Sequence, residues 1–200
     1  MKIEELIVKS EELIQWLDQR IDGIEISSEE RIRLVAGCLD TALEHHKAVL
    51  LLVARSVFGS AFALVRLLFE AYIKGIWLHR CASDSDIQSF KAEKLDKNFG
   101  AFIEDIEKIE GFEEGVLSDT KTKSWKAMNS YTHSGFMQVV RRSTASTIEP
   151  HYTEDEILEA LNFANAIGLL SALEISYLSG SKQLASSILK KAEGLQSSKS

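Results

Sequence analysis

The stretch AFALVRLLFEAYIKGIWLHR, residues 61–80, decides the fold of this chain. Apolar residues occupy nearly every face of a helix drawn through it, which is typical of a helix surrounded by other helices. We therefore predict a helix over about residues 60–81 at the centre of a bundle. Phe58 and Gly59 are expected to separate it from the helix before.

Two amphipathic helices are predicted on the N-terminal side of this central helix. Apolar residues spaced three and four positions apart indicate a first helix that ends near Gly23. A second helix is predicted from Glu29 to about Ala54, with Ser27 or Ser28 as its N-cap.

The C-terminal side shows several helix starts. Ser83 and Thr153 each precede an acidic residue by three positions, which favours a capped helix at each place. Ser118 is predicted to cap a further helix that ends near Gly135. Residues 142–150 are the best candidate for a loop.

Composition favours helices along the whole length. The chain has 200 residues, of which 45% are hydrophobic, and this suffices for one substantial core. Pro150 is the single proline, so little interrupts helix hydrogen bonding. We therefore predict an all-α, single-domain multi-helix bundle over residues 1–195, followed by a frayed tail at residues 196–200.

Charge and cysteine usage limit the classes of partner. A net charge of −7 argues against indiscriminate binding to nucleic acid or to anionic membrane. Cys38 and Cys81 lack a CxxC or CxH partner, so neither a disulfide nor a zinc site is predicted. Residues 1–20 alternate charged and apolar residues, so neither a secretory signal nor a membrane anchor is predicted there. A cytoplasmic location without a membrane partner is therefore predicted.

Arg66 and Glu70 are one helical turn apart inside the most hydrophobic helix. Charges in such a place need partners, because an unpaired buried ion costs several kcal/mol. In one interpretation the two residues pair with each other, or with neighbouring helices, and fix packing. In the other they form the floor of an inter-helix pocket, where Arg66 binds an anion and Glu70 orients it or acts as a base.

A dense polar segment, NSYTHSG at residues 129–135, surrounds His133. Gly135 alone could supply the left-handed cap of a helix end, so these side chains exceed what the turn needs. His133 is therefore a candidate for a functional imidazole that moves protons near neutral pH. The alternative is an inert histidine stabilised by the helix dipole.

Residues 118–142 form a basic segment with a local charge of +4, from five basic residues against one acidic residue. Three aromatic residues, Trp125, Tyr131 and Phe136, alternate with these basic residues. This pattern is a modest signature of nucleotide or single-strand binding. Residues 104–114 carry a local charge of −5, so the two segments could instead neutralise each other.

No metal or cofactor is predicted. His45 and His46 point about 100° apart on a helix and cannot readily share an ion, and His46 follows the apolar stripe as a core histidine does. Glu-x-x-His, HExxH, P-loop, GxSxG and glycine-rich dinucleotide patterns do not occur.

Two segments carry a resemblance to a known family: VRLLFEAYIKGIWLHRCASD, residues 65–84, and WKAMNSYTHSGFMQVVRR, residues 125–142. Together they resemble an uncharacterised family of bacterial helical proteins with an Arg-x-Leu-Phe-Glu-x-Tyr helix and a Tyr-Thr-His-Gly-Gly-like turn. Ser134 stands where that turn has a glycine. The family implies no activity, and its pattern falls on Arg66, Glu70, Tyr72, Trp77, Tyr131, Thr132, His133, Gly135 and Arg142.

A more distant similarity is to HEPN ribonucleases, small helical bundles of toxin and antiphage systems. Their motif places an arginine four to six residues before a histidine on one helix. No arginine has that spacing here, and Lys74 before His79 is the nearest imitation. A HEPN-like enzyme would therefore need Arg66, Glu70 and His133 to converge from different helices.

These observations predict a binding module that forms a homodimer through its helices. It would hold a small anionic ligand or a partner in a polar pocket. The candidate ligand-binding residues are Arg66, Glu70, Tyr72, Tyr131, His133, Arg141 and Arg142. The alternative is a metal-independent ribonuclease or nucleotide-acting toxin of a bacterial defence or toxin-antitoxin system, which binds RNA at the basic segment. Its candidate catalytic residues are Arg66, Glu70 and His133; whether the chain is an enzyme stays open.

Overall fold

A computed structural model describes the backbone of residues 2–197 and the side chains of residues 2–195. Over that range the chain forms nine α-helices and no β-strand, which confirms the predicted all-α class. The helices, in chain order, are α1 (Ile3–Ile21), α2 (Glu30–Ala54), α3 (Phe58–Arg80), α4 (Asp84–Lys91), α5 (Phe99–Ile106), α6 (Val116–Thr132), α7 (Phe136–Val140), α8 (Glu154–Leu178) and α9 (Lys182–Ser197).

Helix α3 lies at the centre, as its sequence predicts, and packs against α2, α5, α6 and α8. Its contact with α2 is close because Gly75 of α3 faces Leu39 of α2. A Cβ on residue 75 would lie 2.9 Å from the Leu39 Cδ2, so a larger residue would push the helices apart. The predicted break at Phe58 and Gly59 is wrong, since both residues belong to α3. Gly59 is instead the place where the Tyr152 hydroxyl approaches the helix, 2.8 Å from where a Cβ would stand.

Two predicted helix starts are confirmed as capping boxes. Ser83 accepts from the Asp86 amide, and Thr153 accepts from the Glu156 amide, while each acidic side chain returns a bond to the cap amide. Both boxes satisfy amide groups that a helix start otherwise leaves without a partner.

Two other predicted caps are wrong. Helix α6 begins at Val116 after Gly115, which has a left-handed φ of 70°, and Ser118 lies inside the helix. The Ser118 amide and hydroxyl both donate to the Glu107 carboxylate, an acceptor eleven residues earlier in the chain. The N-cap of α2 is Glu29, outside the predicted pair Ser27 and Ser28, and no side-chain hydrogen bond closes it.

Helix α8 is the one helix within residues 2–197 that is long and apolar enough to cross a membrane. It packs against α1, α2, α3 and α9, and it buries the polar residues Ser171 and Glu174. This is the arrangement of a core helix. The predicted tail at residues 196–200 stays a prediction, because α9 reaches Ser197 and residues 198–200 are outside the described part.

A chain of buried hydrogen bonds joins α1, α2 and α8. His46 is 1% exposed, and its Nε2 donates to the Asn165 side-chain oxygen at 2.8 Å. The Asn165 amide donates to the Ser10 hydroxyl at 2.7 Å, and Ser10 donates to the Leu6 carbonyl. His46 is therefore a satisfied core histidine, as its place in the apolar stripe predicts.

Candidate functional site

Three of the predicted site residues meet on the surface of α3. The Arg66 Nε donates to Glu70 Oε1 at 2.7 Å, and the Arg66 Nη1 donates to His133 Nε2 at 2.5 Å. The Arg66 and Glu70 side chains retain 18% and 17% of their exposure, while His133 is exposed. The pairing expected from a purely structural role is present, and Arg66 reaches the predicted functional histidine as well.

The end of α6 brings His133 to Arg66. His133 is the C-cap residue of α6, and the preceding Thr132 donates its hydroxyl to the Ala63 carbonyl on α3 at 3.1 Å. The chain then turns through Ser134, whose φ is 52°. The prediction that Gly135 supplies the left-handed residue is wrong, since its φ is −74°.

Gly135 is needed for a different reason. A Cβ there would lie 2.6 Å from the Ser130 hydroxyl oxygen and 3.0 Å from the Ser130 Cα. The turn packs back onto α6 at this point, and the Ser130 hydroxyl accepts from the Met137 amide at 2.9 Å. Glycine therefore permits a close backbone approach that orients the His133 turn.

The contact with Arg66 defines the state of the His133 ring. A guanidinium group can only donate hydrogen bonds, so Nε2 of His133 must accept. In this contact Nε2 carries no hydrogen. The Nε2 lone pair is occupied by this bond, and an anion that approaches Arg66 would lie next to the imidazole as well.

An aromatic pair supports the guanidinium from α5 and α6. The Arg66 Cζ lies 4.8 Å from the centroid of Trp125, and the Trp125 ring stacks on Phe99 at 4.2 Å with an angle of 5° between the planes. In the sequence, Trp125 stands out only as one aromatic residue of the basic segment, and Phe99 does not stand out as a site residue. The pairing is visible only in three dimensions, because the two rings come from different helices.

A second cation lies beside this aromatic pair. The Lys121 amine lies against the start of α5, next to Gly100, which follows Phe99 in the chain. A Cβ on residue 100 would lie 2.6 Å from the Lys121 Nζ. Lys121 is also one helical turn before Trp125 on α6. We call Arg66, Glu70, Lys121, Trp125 and His133 the Arg66 cluster.

Tyr131 of α6 and Arg141, the C-cap residue of α7, lie next to each other. Tyr131 is buried and packs edge-on against Phe62, with ring centroids 5.1 Å apart. Burial raises the pKa of Tyr131, whereas the neighbouring Arg141 lowers it. Arg141 donates to the Glu156 carboxylate, so this cation is engaged with α8.

Tyr72 and Arg142 lie apart from both groups. Tyr72 is 2% exposed in the core, and burial, followed by the negative charge of Glu174, raises the pKa of its hydroxyl above the ordinary range. Arg142 is exposed just after α7. The predicted ligand-binding set is therefore divided among four places, and the largest group that meets is Arg66, Glu70 and His133.

A buried ion pair between α3 and α8 escaped sequence analysis. Glu174 is 5% exposed, and the Arg80 Nη2 donates to both of its carboxylate oxygens at 2.8 Å. His79 Nδ1 lies 3.8 Å from Glu174 Oε2. Glu174 interrupts an apolar helix just as Glu70 does, so the argument applied to Glu70 could have found it.

The basic and acidic segments make different ion pairs from those considered in the sequence. Lys123 pairs with Asp119 inside the basic segment, and Lys108 pairs with Asp105 inside the acidic one. Within the described residues, no group of three or more His, Cys, Asp or Glu side chains is placed to hold a metal ion.

Comparison with known proteins gives one match. No curated protein and no solved structure is similar to the chain. Residues 39–198 match a protein family described as "Family of unknown function (DUF6988)". The matched region spans most of α2, all of α3 to α8 and the residues of the Arg66 cluster. The chain therefore belongs to this family of unknown function.

Proposed function

We propose that this chain is a self-associating helical module, located in the bacterial cytoplasm, whose Arg66 cluster binds a small anionic ligand or an anionic group of a partner. The observation that carries the proposal is the guanidinium of Arg66, held at once by Glu70, His133 and the Trp125 ring. A cation fixed in this way loses little side-chain freedom when it binds an anion.

The aromatic contacts narrow the ligand class. Trp125 stacks on Phe99 and also lies under the guanidinium, so its ring faces are engaged within the protein. A nucleotide base therefore gains little by stacking on Trp125. We expect a phosphate or carboxylate group, rather than a stacked ring, to be what the cluster recognises.

Nuclear magnetic resonance with inorganic phosphate as the probe tests this proposal. We expect phosphate to shift the Trp125 indole signal and the His133 signals, because the anion contacts Arg66 between them. Trp16 on α1 serves as the internal control, because the Arg20 guanidinium lies 4.0 Å from its ring centroid. A shift of the Trp16 signal reports unspecific screening of a cation by phosphate.

The double variant Arg66→Met with Glu70→Leu separates binding from packing. It removes both charges and keeps side chains of similar volume, so we expect a folded protein without the phosphate response. Arg33→Met, at an exposed position on α2, is the control for lost positive charge. A phosphate response that persists in the double variant, or equals that of Trp16, overturns the proposal and leaves Arg66 and Glu70 a packing role.

The second candidate function is a HEPN-like, metal-independent ribonuclease, favoured by the contact between Arg66 and His133. His133 could act as general base after the phosphate of the RNA displaces Nε2 from Arg66, with Arg66 then stabilising charge on the phosphate. Purified protein should then cleave single-stranded RNA in the presence of a chelator, and His133→Ala should remove the cleavage while leaving the fold intact. Equal cleavage by both proteins, or none by either, contradicts this candidate.

A further inference from the structure

An apolar groove of about 300 Å³ runs between α6 and α8. Both helices pack on α3, which provides the floor through Phe62 and Val65. Ala127 and Met128 line one wall, and Ala160 and Phe163 line the other. The space is thus shaped by three helices and is partly open to solvent.

Helix α7 borders this groove and exposes an apolar face. Phe136, Val139 and Val140 are 80%, 57% and 47% exposed, and their spacing places them on one side of the helix. Met137 of the same helix lines the groove. Apolar surface therefore continues from the groove onto α7, where contiguous exposure of this kind marks a contact surface.

The groove and the α7 face are complementary types of surface. Apolar side chains at positions i, i+3 and i+4 are the anchors by which a helix occupies a hydrophobic groove. This chain carries both the anchors and the groove, side by side. A two-fold axis near α7 would let each copy offer its anchors to the other's groove, because a two-fold interface uses the same patch on both subunits.

The charges at the groove edges agree with a partner of the same kind. Lys123 stands on the α6 edge, where it is 73% exposed beside its partner Asp119, and the exposed Glu159 stands on the α8 edge. When two copies face each other across a two-fold axis that runs along the groove, their grooves are parallel and the basic edge of one copy lies against the acidic edge of the other. Opposite charges across the rim favour that arrangement over an antiparallel one, in which like charges meet.

We propose that a second copy of this chain covers the groove, with the α7 face of each protomer seated between α6 and α8 of its partner. This inference rests on the self-association proposed above and assigns its surface. The lining of the groove includes no residue of the Arg66 cluster, so the two surfaces are distinct.

Sedimentation velocity at a series of micromolar concentrations tests the surface. We expect the wild-type chain to dimerise, and Phe136→Lys to weaken dimerisation by about tenfold or more, as loss of a central anchor does. Val8→Lys is the matched control, because Val8 is 55% exposed on α1 and lies outside the groove. It should dimerise like the wild type.

A complementation experiment tests the seating of α7 in the groove. Ala160→Trp fills the groove while leaving the anchors intact, and on its own should also weaken the dimer. An equal mixture of Phe136→Lys and Ala160→Trp should form heterodimers tighter than either homodimer, because one intact contact between α7 and the groove is restored. Unchanged helical circular dichroism confirms that each variant is folded.

Three results would overturn the inference in distinguishable ways. A wild-type monomer at all concentrations refutes both the surface and self-association, while the phosphate response of the Arg66 cluster is judged separately. A dimer that survives Phe136→Lys refutes the surface alone. A monomer that retains a small apolar molecule in native mass spectrometry assigns the groove to that molecule instead.

Discussion

At the scale of single residues, Gly168 determines how closely His46 approaches α8. A Cβ on residue 168 would lie 2.3 Å from His46 Nδ1 and 2.7 Å from its Cε1, well inside van der Waals contact. The missing side chain lets the buried imidazole lie against the α8 backbone and reach Asn165. A glycine in a helix interior normally weakens the helix, so its presence here reflects packing.

Gly168→Ala should therefore destabilise the protein by about 1 to 3 kcal/mol, as overpacked core positions do. Gly37→Ala is the control, because Gly37 is exposed in the interior of α2 and a Cβ there meets nothing within 4 Å. That substitution should stabilise the protein by about 0.5 to 1 kcal/mol. Urea unfolding of both variants measures the difference, and equal free energies of unfolding would refute the packing role of Gly168.

At the scale of elements, helix starts follow the sequence where the cap is a local motif. Thr153 and Glu156 lie three positions apart and bond each other's amides at the start of α8. The start of α6 has no such motif: Gly115 turns the chain with a left-handed φ, and Ser118 bonds Glu107 instead. A serine therefore caps a helix only where the backbone enters the helix at that residue, and Ser118 lies inside α6.

Thr153→Ala should cost about 1 kcal/mol of stability, because it leaves the Glu156 amide without its side-chain acceptor. Thr41→Ala is the control, since Thr41 is exposed in the middle of α2 and its hydroxyl donates only to the Gly37 carbonyl of the preceding turn. Alanine should be neutral or slightly favourable there. Thermal unfolding distinguishes the two, and an equal effect of both changes would exclude a specific capping contribution.

At the scale of the whole molecule, the buried His46 joins α1, α2 and α8 through one chain of hydrogen bonds. Its Nε2 donates to Asn165, which in turn donates to Ser10. Burial lowers the pKa of His46 below its ordinary value of 6.5. The unfolded chain therefore takes up a proton at this ring more readily than the folded protein does.

We expect the free energy of unfolding to be highest above about pH 6.5 and to fall as the pH is lowered through that value. One such ring contributes at most about 1.4 kcal/mol per pH unit. Chemical unfolding between about pH 8 and 5.5 measures this slope, in a range above the ordinary pKa of carboxylates. His46→Gln should flatten the slope while keeping an amide that can bond Asn165.

His45→Gln is the control for the pH experiment. Burial also lowers the pKa of His45, but this ring is only partly buried on the neighbouring face of α2. Its substitution should change the slope less than that of His46. A slope that remains unchanged in His46→Gln would show that the buried imidazole is not the group responsible.

Local pattern alone determined much of this protein. The apolar residues of the stretch at 61–80 placed α3 at the centre, and the boxes at Ser83 and Thr153 placed two helix starts. Each depends on residues within about one or two helical turns, whose interactions any helix of that sequence makes. The charged pair Arg66 and Glu70 was visible for the same reason, since its members are four residues apart.

Only the tertiary structure decided what surrounds that pair. Arg66 and His133 are 67 positions apart, and Phe99 and Trp125 meet from two further helices. Only the tertiary structure, likewise, separates Tyr72, Tyr131 and Arg141 from the Arg66 cluster. Such contacts depend on how the helices pack and rotate against each other. The helical period of a sequence shows which face of a helix is apolar, but it does not show which neighbouring helix that face contacts.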